Sequence, residues 1–372
     1  MALGASSGLC AGVDLDAPKS MRAVYTEVAP ELDGHLDDWA WLTATIVEDL
    51  HVVYPDEGAA PTEPSRFYVT YDKDAIYLAA EFVDSQPEQI TARTLRQGDY
   101  SEGDDGILLI LDPFNQGRSG YAFFLTVNAV RFQALYKNVT EENWNWDGIW
   151  HGATQRTENG WTAEIAVPLQ TLSFDPENDT WGINFSRYIG RRTEEIGWVS
   201  HNRKLNPASS GKITGLRGLE QGLGLDFVPA LVVSDIRDHA TGTTNSDVEP
   251  SLDVTYKPTP ALTTTLTLNT DFTGTGADLR QVNLTHFDLF FPERRNFFLQ
   301  DMDIFEFGRI GAGDGNTGDV ASSESGRPFF SRRIGLSDEG ETIDIEGGLK
   351  LTGRAGGFDY GFLGIRQDAF AA

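Results

Sequence analysis

Apolar and polar residues alternate with a period of two along much of this 372-residue chain, and short polar turns separate the alternating segments. Residues 67–71 and 76–82 flank one such turn, and residues 150–157 and 161–167 flank the pair Asn159-Gly160. Both residues of that pair tolerate a positive φ, as a tight hairpin turn requires. Many short strands joined by frequent turns predict an antiparallel β-sandwich of the jelly-roll type.

The strands near the middle of this region have two patterns. Residues 121–127 and 131–136 alternate on either side of Asn128-Ala129 and predict another hairpin. Residues 107–111 are instead apolar at every position. Such a run predicts a central strand that is buried on both faces.

The alternation changes character after residue 223. Residues 252–256 and 262–268 flank a KPTP turn, and threonine alternates with leucine in the second of these segments. One polar and one apolar face over about ten residues matches a strand of an outer-membrane barrel. Residues 343–352 and 358–365 repeat the pattern. About five such segments are fewer than the eight or more strands of a single-chain barrel, so we expect the front part of a longer protein.

The distribution of tryptophan indicates where the two parts meet. All eight tryptophans lie between Trp39 and Trp198, and a glycine-rich passage at residues 211–224 follows. We therefore predict a leader or disordered N-terminus at residues 1–24 and a β-sandwich at residues 25–220. Residues 221–372 are predicted to be the N-terminal part of a barrel. The predicted fold class is all-β: a sandwich followed by amphipathic strands of a truncated outer-membrane-type β-barrel.

Charge and composition exclude several classes of protein. The formal net charge is −27, which argues against nucleic-acid binding because phosphate contacts need clustered lysine and arginine. Cys10 is the only cysteine, so an internal disulfide is excluded. The start of the sequence lacks the basic residue of a signal peptide. No stretch of about 18 apolar residues occurs, so a transmembrane helix is not expected.

One segment inside residues 221–372, interpreted as the joint between the sandwich and the barrel, combines phenylalanine with arginine. It comprises residues 283–307 and is followed by a related motif at residues 327–335. Its arginines either bind acidic lipid headgroups or pair with the nearby carboxylates. Because acidic residues are closely interleaved, we favour internal pairing. The arginines concerned are Arg294, Arg295, Arg332 and Arg333.

Several motifs resemble known families. Residues 32–41, LDGHLDDWAW, resemble the opening of carbohydrate-binding module family 9, and DDGILLILDPF at 104–114, NGWTAEIAVPLQTLSF at 159–174 and WGINFSRYIGRR at 181–192 extend the likeness. Residues 283–298 with SRRIG resemble the start of an uncharacterised bacterial outer-membrane barrel domain. The resemblance implies a sugar-binding sandwich attached to a barrel, and a location in the bacterial cell envelope, in the outer membrane or periplasm.

The segment EENWNWDGIW offers candidate sugar contacts. A sugar stacks its apolar face on an exposed indole, and Trp144 and Trp146 lie in this polar segment. Either of them could instead belong to the core, as we expect for Trp150. Asn143 and Asn145 add amides that can bind hydroxyl groups. We predict a carbohydrate site formed by Asn143, Trp144, Asn145 and Trp146.

Acidic residues in turns suggest a metal site. Calcium takes six to eight oxygen ligands, and the resemblance to the sugar-binding family implies structural calcium. Asp104, Asp105 and Asp112 flank one strand and are the predicted ligands, with a role in turns or strand edges as the alternative. We expect no nucleotide, and no haem because the methionines, Met1, Met21 and Met302, lie outside the sandwich.

The sequence favours a non-catalytic glycan-binding module on an outer-membrane barrel, active in glycan capture or polysaccharide utilisation. No nucleophile-elbow or zinc-protease motif occurs. With 56 acidic residues, the pairs of carboxylates that a glycosidase needs cannot be singled out. A glycan-processing hydrolase and a structural or transport barrel with a non-binding cap are the alternatives.

Overall fold

The computed structural model describes residues 15, 17–98, 103–137, 139, 141–237, 244–270, 295–305, 331, 334–335, 343–355 and 357–368. These residues form two β units. In chain order the strands of the first unit, the sandwich, are β1 (Ser20–Arg22), β2 (Thr45–Val47), β3 (His51–Tyr54), β4 (Ser65–Tyr71), β5 (Ala75–Val83), β6 (Gly106–Asp112), β7 (Gly120–Thr126), β8 (Arg131–Lys137), β9 (Glu141–Asn143), β10 (His151–Thr157), β11 (Gly160–Pro168), β12 (Thr180–Ile189), β13 (Glu194–Gly197) and β14 (Gly211–Thr214). Helix α1 (Trp39–Thr43) and 3-10 turns at Pro87–Gln89, Gly190–Arg192 and Pro207–Ser209 complete it.

The sandwich has two sheets. Within the described residues the larger has nine strands in the order β1-β14-β12-β6-β7-β8-β9, with β13 on β12 and β3 on β13. The smaller runs β10-β11-β5-β4-β2. All pairings are antiparallel except β1 with β14. The predicted all-β sandwich is confirmed. Strand β1 lies in the predicted leader 1–24, which is therefore too long, because residues 20–22 pair in the sheet.

The main core lies between the inner faces of these sheets. Strand β6 pairs with β12 on one side and β7 on the other, as predicted for a central strand. Successive side chains of β7 point to opposite faces of the larger sheet. Tyr121, Phe123 and Leu125 lie in the core, so Ala122 and Phe124 point to the outer face. Trp150 is 2% exposed and lies in the core as predicted, and Trp161 and Trp181 are buried beside it.

The second unit is an antiparallel sheet, which we call the C-terminal sheet. It runs β15 (Leu225–Arg237), β16 (Thr244–Thr259), β17 (Leu262–Thr270), β18 (Ile345–Ala355) and β19 (Phe358–Gln367) in sequence order. Helix α2 (Asn296–Leu299) and a 3-10 turn at Met302–Phe305 pack beside it. Among the described residues the first and last strands are not paired with each other, so the sheet is open there.

The C-terminal sheet reverses the usual distribution of polarity. Polar side chains of one face are buried: Lys257, Thr263, Thr265, Thr267, Lys350, Thr352 and Arg354. Apolar side chains of the other face are exposed by 40% or more: Leu225, Phe227, Leu231, Val233, Val248, Tyr256, Leu266, Leu268, Leu349, Phe358, Tyr360 and Phe362.

The segment rich in phenylalanine and arginine, between β17 and β18, is described only in pieces. Arg294, Arg332 and Arg333 lie outside the described residues, so the predicted pairing of these arginines stays a prediction. Arg295 is buried, donates to the carbonyl oxygens of Ser331 (2.8 Å) and Ile334 (3.0 Å), and lies over the ring of Phe298. In the described part of the chain, no helix has the length and hydropathy needed to cross a membrane.

Candidate functional site

A row of three aromatic rings crosses the outer face of the larger sheet. Phe124 of β7 and Phe132 of β8 are directly opposite residues whose ring centroids are 4.4 Å apart. The indole of Trp144, just after β9, continues the row at 5.6 Å from Phe132. Phe132 is 5% exposed, whereas Trp144 is 49% exposed. The row therefore ends in a half-exposed indole that is supported by a buried ring.

Polar groups lie beside this indole. Glu142 is directly opposite Tyr136 in the β8–β9 pair. Burial raises the pKa of Glu142, and the Tyr136 hydroxyl and the indole of Trp144 oppose the rise. The carboxylate of Glu142 therefore interacts with the exposed indole.

A second carboxylate reaches the same face from a distant strand. Burial raises the pKa of Glu195 on β13, and the charge of Glu142 raises it further. Ser186 donates a 2.7 Å hydrogen bond to Oε1 of Glu195. Strands β13 and β9 are five pairings apart in the sheet, which is about 24 Å if the sheet is flat. A charge interaction across these strands favours a concave outer face.

Apolar side chains fill the centre of this concave face. Val53, Ile110 and Ala134 form a cluster there with Leu205, which belongs to the segment after β13. The hydroxyl of Tyr136 donates to the carbonyl oxygen of Leu205 at 3.3 Å. The segment around Leu205 therefore covers the centre, and the exposed part of the face is the side that carries Trp144.

The structure separates the two predicted sugar-binding tryptophans. Trp144 lies on the outer face, but Trp146 is 7% exposed and packs in the core against Tyr121 (5.3 Å) and Phe123 (6.0 Å). The backbone turns after β9, so the period-two relationship between the indoles is lost. The prediction of Trp146 as a stacking surface is corrected, because its ring is enclosed.

Asn143, one of the predicted asparagines, faces away from the outer surface that carries Trp144. Successive side chains of a strand point to opposite faces, and Asn143 lines a cleft of about 40 Å³ shared with Asp301 and Arg354. The backbone N–H of Asn145 donates to Oδ1 of Asn143 at 3.0 Å. That contact is a local turn, so Asn143 shapes the chain here rather than facing the same side as Trp144.

The predicted calcium ligands bind backbone instead. Asp104 accepts hydrogen bonds from the N–H groups of Arg93 (2.9 Å) and Thr94 (2.8 Å). Asp112 accepts one from the N–H of Gly117 at 2.7 Å, and burial raises the pKa of Asp112. Each carboxylate therefore fastens a loop to the end of β6.

Asp105, the residue before β6, also binds backbone N–H groups. Its Oδ2 accepts hydrogen bonds from the N–H groups of Thr91 (2.9 Å) and Gly190 (3.2 Å), and burial raises the pKa of Asp105. Within the described ranges, no three His, Cys, Asp or Glu side chains are grouped to hold a metal ion. The contacts of Asp104, Asp105 and Asp112 with backbone N–H groups favour the alternative role in turns and strand edges over calcium ligation.

Sequence reasoning missed most of the groups around Trp144. Phe124 and Phe132 occupy outer positions of a predicted hairpin, so aromatic residues at facing outer positions were the available signal. Glu195 had no local signal, because only the curvature of the sheet brings it near Glu142.

The comparisons with known proteins agree with a two-part chain. Residues 32–214 match the family model "Carbohydrate family 9 binding domain-like", and residues 222–347 match a domain of unknown function, DUF5916. No curated protein matches. A carbohydrate binding module family 9 from Caldicellulosiruptor kristjanssonii in complex with cellotriose is 19% identical, with a TM-score of 0.38 over 54% of this chain and 95% of that one. A protein of Bacteroides uniformis ATCC 8492 is 13% identical, with a TM-score of 0.43 over 53% and 99%.

Proposed function

We propose that the chain captures glycans without cleaving them. The premise is the match of residues 32–214 to the family 9-like carbohydrate-binding domain. The ligand stacks on Trp144. The observation that carries the proposal is the 49% exposed indole at the end of the ring row. A flat ring at the surface offers an apolar face to the C–H groups of a pyranose, and few other large rings of the sandwich are exposed.

The surroundings of Trp144 suit a hydroxylated ligand. The carboxylate of Glu142 interacts with Trp144 and offers lone pairs to hydroxyl groups. Phe132 behind the indole keeps the ring in place, so less side-chain freedom is lost on binding. Glycan capture by this face is consistent with a role in polysaccharide utilisation.

Calorimetric titration of the full chain with neutral oligosaccharides tests the proposal. Trp144→Ala should abolish the binding heat. Trp39→Ala is the matched control, because Trp39 is 70% exposed on α1, away from the ring row. Binding that survives Trp144→Ala, or that is lost only in Trp39→Ala, would refute the site.

We further propose that the C-terminal sheet belongs to an outer-membrane-type barrel. Support comes from its exposed apolar face and buried polar face, since a strand in a lipid-embedded barrel alternates apolar-out and polar-in. On β17 the side chains of Leu266 and Leu268 are at least 40% exposed, whereas Thr265 and Thr267 are at most 4% exposed. A soluble sheet with one buried face has the opposite pattern.

Flotation with lipid vesicles tests the membrane part. The full chain should float, and Leu266→Glu with Leu349→Glu should reduce flotation because charge on the lipid-facing side is costly. Leu42→Glu with Ile46→Glu is the control, since it makes the same change on exposed apolar residues of the sandwich. Equal loss in both pairs, or no flotation of the unmodified chain, would exclude this role for the sheet.

Glycoside hydrolysis is the second candidate, favoured by one observation. The charge of Glu142 raises the pKa of Glu195, so the two carboxylates of the face that carries Trp144 interact. Two carboxylates are what a glycosidase uses. Release of reducing ends from a bound oligosaccharide that Glu195→Gln abolishes would establish this activity, and its absence in the unmodified chain would exclude it.

A further inference from the structure

The turn between β16 and β17 contacts the sandwich through a buried lysine. Lys257 is 5% exposed, and its Nζ donates to the carbonyl oxygens of Gln170 (2.9 Å) and Leu172 (3.1 Å). The N–H of Phe174 donates to the carbonyl oxygen of Pro260 at 3.0 Å. Burial of an ammonium group is costly unless acceptors replace water. Both of these acceptors come from the sandwich, so this contact favours a docked arrangement.

A second cation makes a contact at the neighbouring turn. Arg354 of β18 binds both carboxylate oxygens of Asp303 at 2.7 and 2.8 Å. Its guanidinium lies 4.9 Å from the ring centroid of Phe114, and its Nη1 is 3.4 Å from the hydroxyl of Ser119. Phe114 and Ser119 belong to the sandwich loop between β6 and β7. Arg354 therefore joins the C-terminal sheet to a second, separate part of the sandwich.

The linker between the two units does not behave as a free tether. Residues 215–224 contain four glycines with positive φ, a composition that favours flexibility. Nevertheless, the N–H of Leu216 donates to the carbonyl oxygen of Asp179 at 3.0 Å, and the N–H of Glu220 donates to that of Lys73 at 2.6 Å. The linker is thus bonded to the sandwich at Leu216 and Glu220.

The end of the C-terminal sheet that contacts the sandwich is also its aromatic end. Exposed aromatic residues of the apolar face are found near the turns that carry Lys257 and Arg354, whereas the far end presents aliphatic residues. Aromatic side chains are enriched at the boundary between lipid and water. The aromatic residues are Phe227, Tyr256, Phe358, Tyr360 and Phe362, and the aliphatic ones of the far end are Val233, Val248 and Leu268.

We propose that the sandwich is a fixed cap, seated on the C-terminal sheet at the lipid–water boundary, and not a module on a flexible tether. Lys257 and Arg354 are the residues that hold it. The inference rests on the proposed membrane attachment and adds the position of the sandwich relative to the membrane. A fixed cap presents Trp144 to glycans at one height and one orientation above the membrane.

Distance measurements between two spin labels test the cap. The full chain carries Cys10→Ala with nitroxides at Glu88→Cys in the sandwich and Asp344→Cys before β18, both exposed positions. In vesicles we expect one narrow distance distribution. Lys257→Met with Arg354→Met should at least double its width, and Lys257→Gln with Arg354→Lys should give an intermediate width.

The matched control is Arg66→Met with Arg156→Met, which removes two exposed cations of the sandwich and should leave the width unchanged. A distribution that is broad in the unmodified chain would overturn the fixed cap. Equal widths in all variants would overturn the assignment to Lys257 and Arg354. Retained titration with oligosaccharide shows that each variant is folded.

The depth of two nitroxides tests the position of the boundary. A label at Phe358→Cys should be accessible to a water-soluble nickel complex, whereas a label at Leu266→Cys should respond mainly to oxygen dissolved in the lipid. The reverse order would refute a boundary at the aromatic end. A chain that does not float would instead refute the membrane attachment, and the spin-label distances in detergent would still report on the cap.

Discussion

The indole N–H of Trp41 donates a 2.8 Å hydrogen bond to Oε1 of Glu164, which lies 123 residues further along the chain. Oε2 of the same carboxylate accepts from the N–H groups of Asp33 (3.0 Å) and Gly34 (2.6 Å). Gly34 has φ of +89°, and a Cβ atom there would lie 2.7 Å from the carbonyl carbon of Thr154. One buried carboxylate therefore fastens the opening motif to β11, and the motif needs glycine at this approach.

The titration of Glu164 gives a pH-dependent stability. Burial raises its pKa from an ordinary value near 4.5 to about 7, against the opposing effect of the three N–H donors. A carboxyl group whose pKa is raised in the folded state stabilises the fold most at low pH, where it is protonated. This stabilisation is lost as the pH rises through the pKa of the folded state. We expect the free energy of unfolding to fall between about pH 4.5 and 7, as measured by urea denaturation.

Glu164→Gln should flatten this pH dependence, because the amide has no proton to lose. Glu81→Gln on β5 is the control: it removes an exposed carboxylate from the adjacent strand and should retain the slope. Parallel pH profiles for the unmodified chain and Glu164→Gln would show that another group titrates.

Local signals were sufficient for the hairpins. The pair Asn159-Gly160 was predicted as a turn, and Thr157 pairs with Gly160 in the structure, where Gly160 has φ of +149°. Turn chemistry and alternation act over a few residues, so the sequence contains them in one place. The same holds for the buried strand β6, whose apolar run needs no distant partner to be recognised.

The candidate site depends on relationships that no local pattern contains. Trp144 and Trp146 have the same spacing as two residues on one face of a strand, but β9 ends at Asn143 and the following turn sends Trp146 into the core. Glu195 approaches Glu142 only because the sheet curves. Register can be inferred from a sequence, whereas strand ends and curvature depend on packing across the sheets.

The different positions of the two tryptophans predict different stabilities. Trp146→Ala should lower the free energy of unfolding by about 3–5 kcal/mol, because it leaves a cavity among Tyr121 and Phe123. Trp144→Ala should lower it far less, since half of that ring is in water. Chemical denaturation of both variants measures the difference. Equal losses would place both rings in the core.

The carboxylates around β6 predict indifference to calcium. A bound ion would raise the melting temperature by mass action. Because these carboxylates bind backbone N–H groups instead, the melting temperature should be the same in chelator and in millimolar calcium. Asp104→Ala should lower the free energy of unfolding by about 1–3 kcal/mol, because the N–H groups of Arg93 and Thr94 lose their acceptor. A melting temperature that rises with calcium, and no longer rises in Asp104→Ala, would restore the calcium site.

A buried ion pair predicts the largest effect of removing one charge. The side chains of Arg187 and Asp84 are both 0% exposed and are 3.2 Å apart. Arg187 also donates to the carbonyl oxygen of Val83 at 2.9 Å. Arg187→Met should lower the free energy of unfolding by about 3–5 kcal/mol, because Asp84 stays buried after losing one cationic partner.

The control for this variant is Arg66→Met, which breaks a surface pair in which Arg66 is 45% and Glu48 is 58% exposed. Pairs of this kind contribute about 0–1 kcal/mol. Arg191 also binds Asp84, at 2.6 Å. The double variant Arg187→Met with Asp84→Leu should still recover part of the loss, because it removes the buried carboxylate that has lost Arg187. Denaturant titrations of the single and double variants measure this recovery. A double variant less stable than Arg187→Met would show that Asp84 stabilises the fold through its other contacts, with Arg191 and the N–H of Gln86.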